Sequence, residues 1–139
     1  MTLLDQELLD RLRSRAAGYD RDNAFPFEDL AELREAGYLA PRSLVEMAKD
    51  QRLLAAYAPA TALAVNMHLV WTGVAKVLRD RGIDDLEFVL HGAAAGEVFA
   101  FGISEAGNDL VLFGSDTDAA PDGEGGYRFT GTKIFTSLS

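Results

Sequence analysis

Leu90-His91-Gly92-Ala93-Ala94-Ala95-Gly96-Glu97-Val98-Phe99-Ala100-Phe101-Gly102-Ile103-Ser104 is where the chain changes its period. Before Gly96 the apolar residues recur at helical spacing. After it, Val98 to Ser104 is a short apolar run of strand character. The switch predicts two units, a helical one over residues 1–96 and a β unit over residues 97–139. The expected class is α+β: an N-terminal all-α helical bundle followed by the first strands of an incomplete antiparallel β domain.

Working back from that point, residues 1–95 read as helix after helix. Thr2 followed by Asp5 has the spacing of a capping box. Leu4, Leu8, Leu9, Leu12 and Ala16 then recur on one face, with Gly18 as the expected stop. Pro26 suits a first helical turn, ahead of Phe27, Leu30, Leu33 and Ala36, and Gly37 closes that helix. Ser43 caps a third helix carrying Leu44, Met47, Leu54 and Tyr57, which Pro59 ends. Thr61 to Arg79 is the fourth and most apolar helix, stopped by Gly82. Asp84 or Asp85 caps a fifth, running to about Ala95.

Working forward, Asp116 to Ala120 and Tyr127 to Thr130 alternate in part. They flank the turn cluster Pro121-Asp122-Gly123-Glu124-Gly125-Gly126. Lys133 to Thr136 reads as another strand. So few strands leave open edges, so a finished β domain calls for more chain or a partner.

Composition narrows the function classes. The 139 residues carry a formal charge of −9, which disfavours non-specific binding to nucleic acid and a polybasic membrane patch. There are no cysteines, hence no disulfide, thiolate metal site or cysteine nucleophile. The amphipathic N-terminus lacks an apolar signal core, and a cytoplasmic location is the expectation. Leu53 to Ala75 has no formal charge and is long enough to span a bilayer. Pro59, Asn66 and His68 interrupt it, and it is expected to be a buried bundle helix, not a membrane span.

Residue chemistry alone yields little. His68 and His91 are the only histidines. The first is expected as a satisfied core residue and the second near a helix end. Asp116 and Asp118 share a strand face, as solvated strand pairs often do, and no metal site is expected. No P-loop, HExxH or dinucleotide fingerprint is present. What remains is Phe101-Gly102-Ile103-Ser104-Glu105-Ala106-Gly107-Asn108-Asp109. A strand there runs into a small-residue turn suited to a planar, hydrogen-bonding cofactor or an anion.

Four stretches add a resemblance. Asp20-Arg21-Asp22-Asn23-Ala24-Phe25-Pro26 resembles the "D-R-x-x-x-F-P" that leads into the second helix of the acyl-CoA dehydrogenase family. Leu33-Arg34-Glu35-Ala36-Gly37-Tyr38-Leu39 resembles that helix's end. Gly96 to Glu105 resembles the strand that opens the family's β domain at "T-E-P". Tyr127-Arg128-Phe129-Thr130-Gly131-Thr132-Lys133-Ile134-Phe135-Thr136-Ser137 resembles "Y-x-x-x-G-x-K-x-W/F-I-T/S", the most specific of the four.

The resemblance implies an FAD-dependent oxidoreductase that desaturates an acyl-CoA thioester. In such enzymes a carboxylate takes the α proton and flavin N5 the β hydride. The complete protein is expected to be a homo-oligomer with a C-terminal helical bundle. By position, Phe101, Ile103 and Ser104 match the strand along the flavin. Phe135 and Ser137 match the second flavin-side segment, with Thr136 as the alternative hydroxyl. Asn108 stands nearest the loop serine that lies by the thioester substrate. No Glu here matches the family's catalytic base, so no catalytic residue is assigned, and these residues alone are expected to bind FAD weakly or not at all and to be inactive. The loop after Ser104 is shorter than the family's and lacks its proline. That keeps open a flavin monooxygenase of the same fold and, apart from it, a non-catalytic interaction module.

Overall fold

The computed structural model describes residues 2–107 and 114–136. Among them are five helices and one two-stranded antiparallel sheet, an α+β chain dominated by helix. The helices are α1 (Gln6–Asp22), α2 (Phe27–Glu35), α3 (Leu44–Tyr57), α4 (Pro59–Asp80) and α5 (Glu87–Ala94). The strands are β1 (Asp118–Pro121) and β2 (Tyr127–Thr130). Two compact units part between Phe99 and Ala100.

Four of the five helices end in the same way. After α2, Tyr38 N–H reaches back to Leu33 O at 2.9 Å and Gly37 N–H to Arg34 O at 3.0 Å, with Gly37 at φ +74°. Gly82 and Gly96 close α4 and α5 by the same pair of bonds, and Asn23, at φ +47°, closes α1. A left-handed residue lets the chain turn back on its last carbonyls, and Gly or Asn takes that conformation at least cost. This overturns the expected stop at Gly18. That glycine lies inside α1, because the left-handed position falls at Asn23.

The helix starts differ from expectation at three places. Asp5 alone caps α1, accepting Leu8 N–H at 2.8 Å. Thr2 does not join a capping box; its hydroxyl donates to Asp50 of α3 at 2.8 Å. Pro59 starts α4 rather than merely ending α3, since a first-turn proline lacks only an N–H that would have had no partner. Neither Asp84 nor Asp85 caps α5 through its side chain: the position before the helix is Leu86, and Glu87 N–H bonds the backbone oxygen of Asp84. Ser43 does cap α3, accepting Glu46 N–H and donating to the Glu46 carboxylate at 2.6 Å.

The main core joins Leu8, Leu9 and Leu12 of α1 to Leu33, Tyr38, Met47, Leu54, Val65 and Leu69. On α2, Leu33 is fully buried, whereas Phe27, expected on the same face, is 73% exposed and tilts against Phe25. A smaller cluster of Ala75, Val89 and Leu90 carries Trp71, Leu86 and Phe99 on its flank. Burying a charge costs several kcal/mol unless it is bonded, and each buried carboxylate of this unit is. Asp29 accepts from Arg15 at 2.8 Å, Thr61 at 2.6 Å and Tyr19 at 3.2 Å, tying α1, α2 and α4. Asp50 accepts from Arg42 at 2.6 Å and from Thr2. Among the described residues, α4 is the one helix long and apolar enough to cross a membrane by length and composition. Here it packs against α2, α3 and α5.

In the second unit β1 pairs with β2, from Asp118 opposite Thr130 to Pro121 opposite Tyr127. The Asp122 carboxylate organises the turn, accepting the N–H groups of Glu124 and Gly126 at 2.8 and 2.9 Å. Those bonds hold its carboxyl below the usual range. Two expected strands are absent. Val98 to Ser104 forms only an isolated bridge at Phe101, and Lys133 to Thr136 forms no ladder. Phe135 has φ +53°, which breaks the extended conformation a strand requires.

Candidate functional site

Glu105 is the centre of the second unit. Its side chain is 4% exposed and accepts from Lys133 Nζ at 2.5 Å, Ser115 Oγ at 2.8 Å and Thr117 Oγ1 at 2.5 Å. The backbone N–H groups of Asp116 and Thr117 also donate to it, at 2.6 and 3.1 Å. One carboxylate therefore binds three separate stretches: the turn after Ser104, the approach to β1, and the segment after β2. Charge-assisted bonds of this kind are shorter and stronger than neutral ones, and here they tie the three stretches to one carboxylate. Both strands of this unit are solvent-exposed throughout.

Because Lys133 is drawn to Glu105, the segments on either side of the pair meet. Ile134 N–H donates to Ser104 O at 2.9 Å. A Cβ built on Gly102 would lie 3.3 Å from Thr136 Cγ2, so the small residue permits close approach. Phe101, Ile103, Ser104, Phe135 and Thr136 thus belong to two adjoining segments. Asn108 and Ser137 lie outside the described residues.

Two features fit a planar cofactor with a polar edge. The Ser104 hydroxyl is half-buried and, among the described residues, makes no hydrogen bond. Phe135 is 86% exposed and held at positive φ, an uncommon backbone state for an aromatic residue. The ring presented there is not packed in a core, the other role open to an aromatic at this place. Beside the ion pair a cleft of about 540 Å³ is lined by Gly102, Ser115, Thr117, Phe129, Gly131 and Lys133. Since Glu105 neutralises the lysine, the cleft's polar lining is chiefly hydroxyl.

Sequence reasoning missed the roles of Ser115 and Thr117, and it quoted Glu105 and Lys133 without pairing them. A Glu and a Lys of opposite charge at the centres of two quoted motifs were the available signal. Gly131 has a structural cause as well: a Cβ there would meet Thr117 Cα at 2.9 Å.

Elsewhere the titratable groups serve structure. His68 is fully buried, with Nε2 2.7 Å from Leu39 O. His91 is exposed and 3.5 Å from Glu87. Asp116 supplies its N–H, not its carboxylate, to the Glu105 cluster. Among the described residues no group of three or more His, Asp or Glu side chains converges. In the helical unit an apolar groove of about 750 Å³ runs between α3 and α4, past Leu44, Met47, Leu69, Val70 and Val74. Compared with protein-family models, curated proteins and solved structures, the chain matches none.

Proposed function

We propose that this chain forms the helical domain and the opening β segment of an FAD-dependent oxidoreductase with the acyl-CoA dehydrogenase fold. The observation that carries the reading is the meeting of two sequence-distant segments, Phe101–Glu105 and Lys133–Thr136, through the Ile134–Ser104 bond and the Lys133–Glu105 pair. The resemblance assigns both segments to one cofactor, and a shared cofactor demands that they adjoin.

Bound FAD would supply the hydride acceptor. The chain's own residues bind and orient it. The Ser104 hydroxyl offers a hydrogen bond to the ring's polar edge, where donors stabilise charge that builds on reduction. Phe135 offers an aromatic face, and Phe101 and Ile103 line the strand-like segment beside it. The proton-abstracting carboxylate comes from outside these residues. Asn108 is the proposed substrate-side residue, and an acyl-CoA or similar thioester the proposed substrate. A cytoplasmic homo-oligomer is the proposed complete form.

The test is to isolate the protein as its native cell makes it and record its visible spectrum. Flavin absorption that bleaches anaerobically on addition of an acyl-CoA supports the reading. A colourless protein that takes up no FAD overturns it. The shortened loop after Ser104 leaves room for a second reading, a flavin monooxygenase of the same fold. Flavin that stays oxidised with every acyl-CoA, but consumes oxygen once reduced by an external donor, would select it.

A further inference from the structure

His68 occupies a singular place in the helical unit. It lies on α4 and is fully buried, and both ring nitrogens are engaged. Nε2 is 2.7 Å from Leu39 O, on the segment after α2. Nδ1 is 3.2 Å from Phe99 N, on the last residue before the second unit begins. A carbonyl oxygen can only accept, so Nε2 must carry the proton. A backbone N–H can only donate, so Nδ1 must be bare. The surroundings therefore require one neutral tautomer. The Phe99 ring stacks near the imidazole, at 6.2 Å between centroids, and packs on the small cluster that also holds Trp71.

We propose that His68 is an acid-sensitive latch: protonation of Nδ1 sets two donors face to face and releases Phe99, the end of the helical unit, from α4. The inference is independent of the flavin reading, since it concerns only residues of the helical unit. A second proton on the ring cannot be accommodated while Phe99 N–H points at Nδ1, so acid forces a choice between the charge and the bond.

The charged neighbours reinforce that choice. Burial comes first in lowering the imidazole's proton affinity, the Leu39 carbonyl opposes it, and the field of Arg34 on α2 lowers it further. On α3, Asp50 is committed to Arg42 and Thr2. On α5, Glu87 pairs with Arg79 and His91. Tyr38 before Leu39 stays neutral, its phenol pushed up by burial. Glu97, in the connection to Phe99, is exposed. No carboxylate bonds the ring among the described residues, so none offsets a positive charge there. The folded value lies below the ordinary 6.5. The bond is therefore intact above about pH 6.5 and is lost as pH falls through the lower folded value.

The experiment uses the whole chain. Ring nitrogen and Phe99 amide signals are followed by NMR from about pH 8 to about pH 4.5, a span that covers ordinary imidazole titration. Emission of Trp71, the only tryptophan, is read in parallel. The expected result is an Nε2–H tautomer at neutral pH. Below 6.5 the ring charges, and the Phe99 amide signal and Trp71 emission change with the same midpoint. An Nδ1–H tautomer, or a Phe99 amide unmoved while the ring titrates, would overturn the proposal. His68→Gln keeps a donor for Leu39 O and an acceptor for Phe99 N–H but cannot take up a proton. It should abolish the acid transition in Trp71 emission and leave the Phe99 amide signal unmoved over the same pH range. An unchanged acid transition in that variant also overturns the proposal. If the variant does not fold, the wild-type titration decides alone.

Discussion

Lys133 Nζ stands 2.5 Å from Glu105 Oε1, and this ion pair joins the two stretches on which the functional reading rests. The lysine side chain is 30% exposed and the carboxylate 4%. Such a pair is worth little as net stability, since desolvation offsets most of the attraction. Its removal is another matter, because every donor aimed at the carboxylate is then left without a partner.

Glu105→Ala is therefore expected to destabilise the second unit by about 3 kcal/mol. The loss should appear as fast hydrogen exchange at the amides of Asp116 and Thr117, both of which donate to Glu105. Exchange in α3 and α4 should stay unchanged, since their core lies in the other unit. Protected Asp116 and Thr117 amides in the variant would mean that the carboxylate does not organise these segments.

Two glycines should respond oppositely to alanine. At Gly131 the new Cβ would meet Thr117 Cα and Cβ, both at 2.9 Å, and backbone cannot yield cheaply. A cost of about 2 kcal/mol is expected for Gly131→Ala. At Gly73 the nearest atoms are the tips of Leu44 and Met47, and Leu44 is half exposed and can swing away. Gly73→Ala also gains about 1 kcal/mol of helix propensity, so it should be neutral or slightly stabilising. Denaturant midpoints of the two variants check both signs. A large loss at Gly73 would mean that the α3–α4 seam has no slack.

The helical unit was largely legible in the sequence because its signals are local. Ser43 caps, Gly37, Gly82 and Gly96 terminate, and Leu8, Leu12 and Leu54 face inward, as the spacing predicts. Two of the misses arose where a distant partner competed. Thr2 is drawn to Asp50, far along the chain, instead of capping its own helix. Asp29 stands in the first turn of α2, where a solvated acid is usual, yet it is buried by Arg15 and Thr61. The second unit was harder to read because a strand is defined by its neighbour. The run from Val98 to Ser104 has strand composition but pairs only at Phe101, and Phe135 turns the last segment out of the extended state.

Asp50 gives a prediction in pH. Burial pushes its carboxyl up, but the Arg42 guanidinium and the Thr2 hydroxyl together pull it below the ordinary 3.8. A carboxyl held low contributes its full stability above that ordinary value and loses it as pH falls through the folded one. Asp50→Asn leaves the Arg42 cation without its counter-charge and should cost about 3 kcal/mol at neutral pH. Urea unfolding at descending pH should show the gap between wild type and variant closing below 3.8. A gap that persists in acid would mean that the cost lies in packing, not charge.

Phe135 separates stability from cofactor binding. Its side chain is 86% exposed, so truncation forfeits little burial, and its φ of +53° is one that glycine adopts freely. Phe135→Gly should leave stability unchanged or raise it by up to about 1 kcal/mol, the strain relieved being partly offset by chain entropy. If the ring packs on a flavin, the same variant of the protein as its native cell makes it should bind FAD about tenfold more weakly, and Phe135→Trp should restore binding. Thermal unfolding and FAD titration of one sample read both effects. Lost stability with intact FAD affinity would assign the ring to packing and remove Phe135 from the flavin site. Kept stability with lost affinity is the outcome expected if the strained, outward ring meets a cofactor, since strained residues held by the surrounding structure cluster at ligand sites.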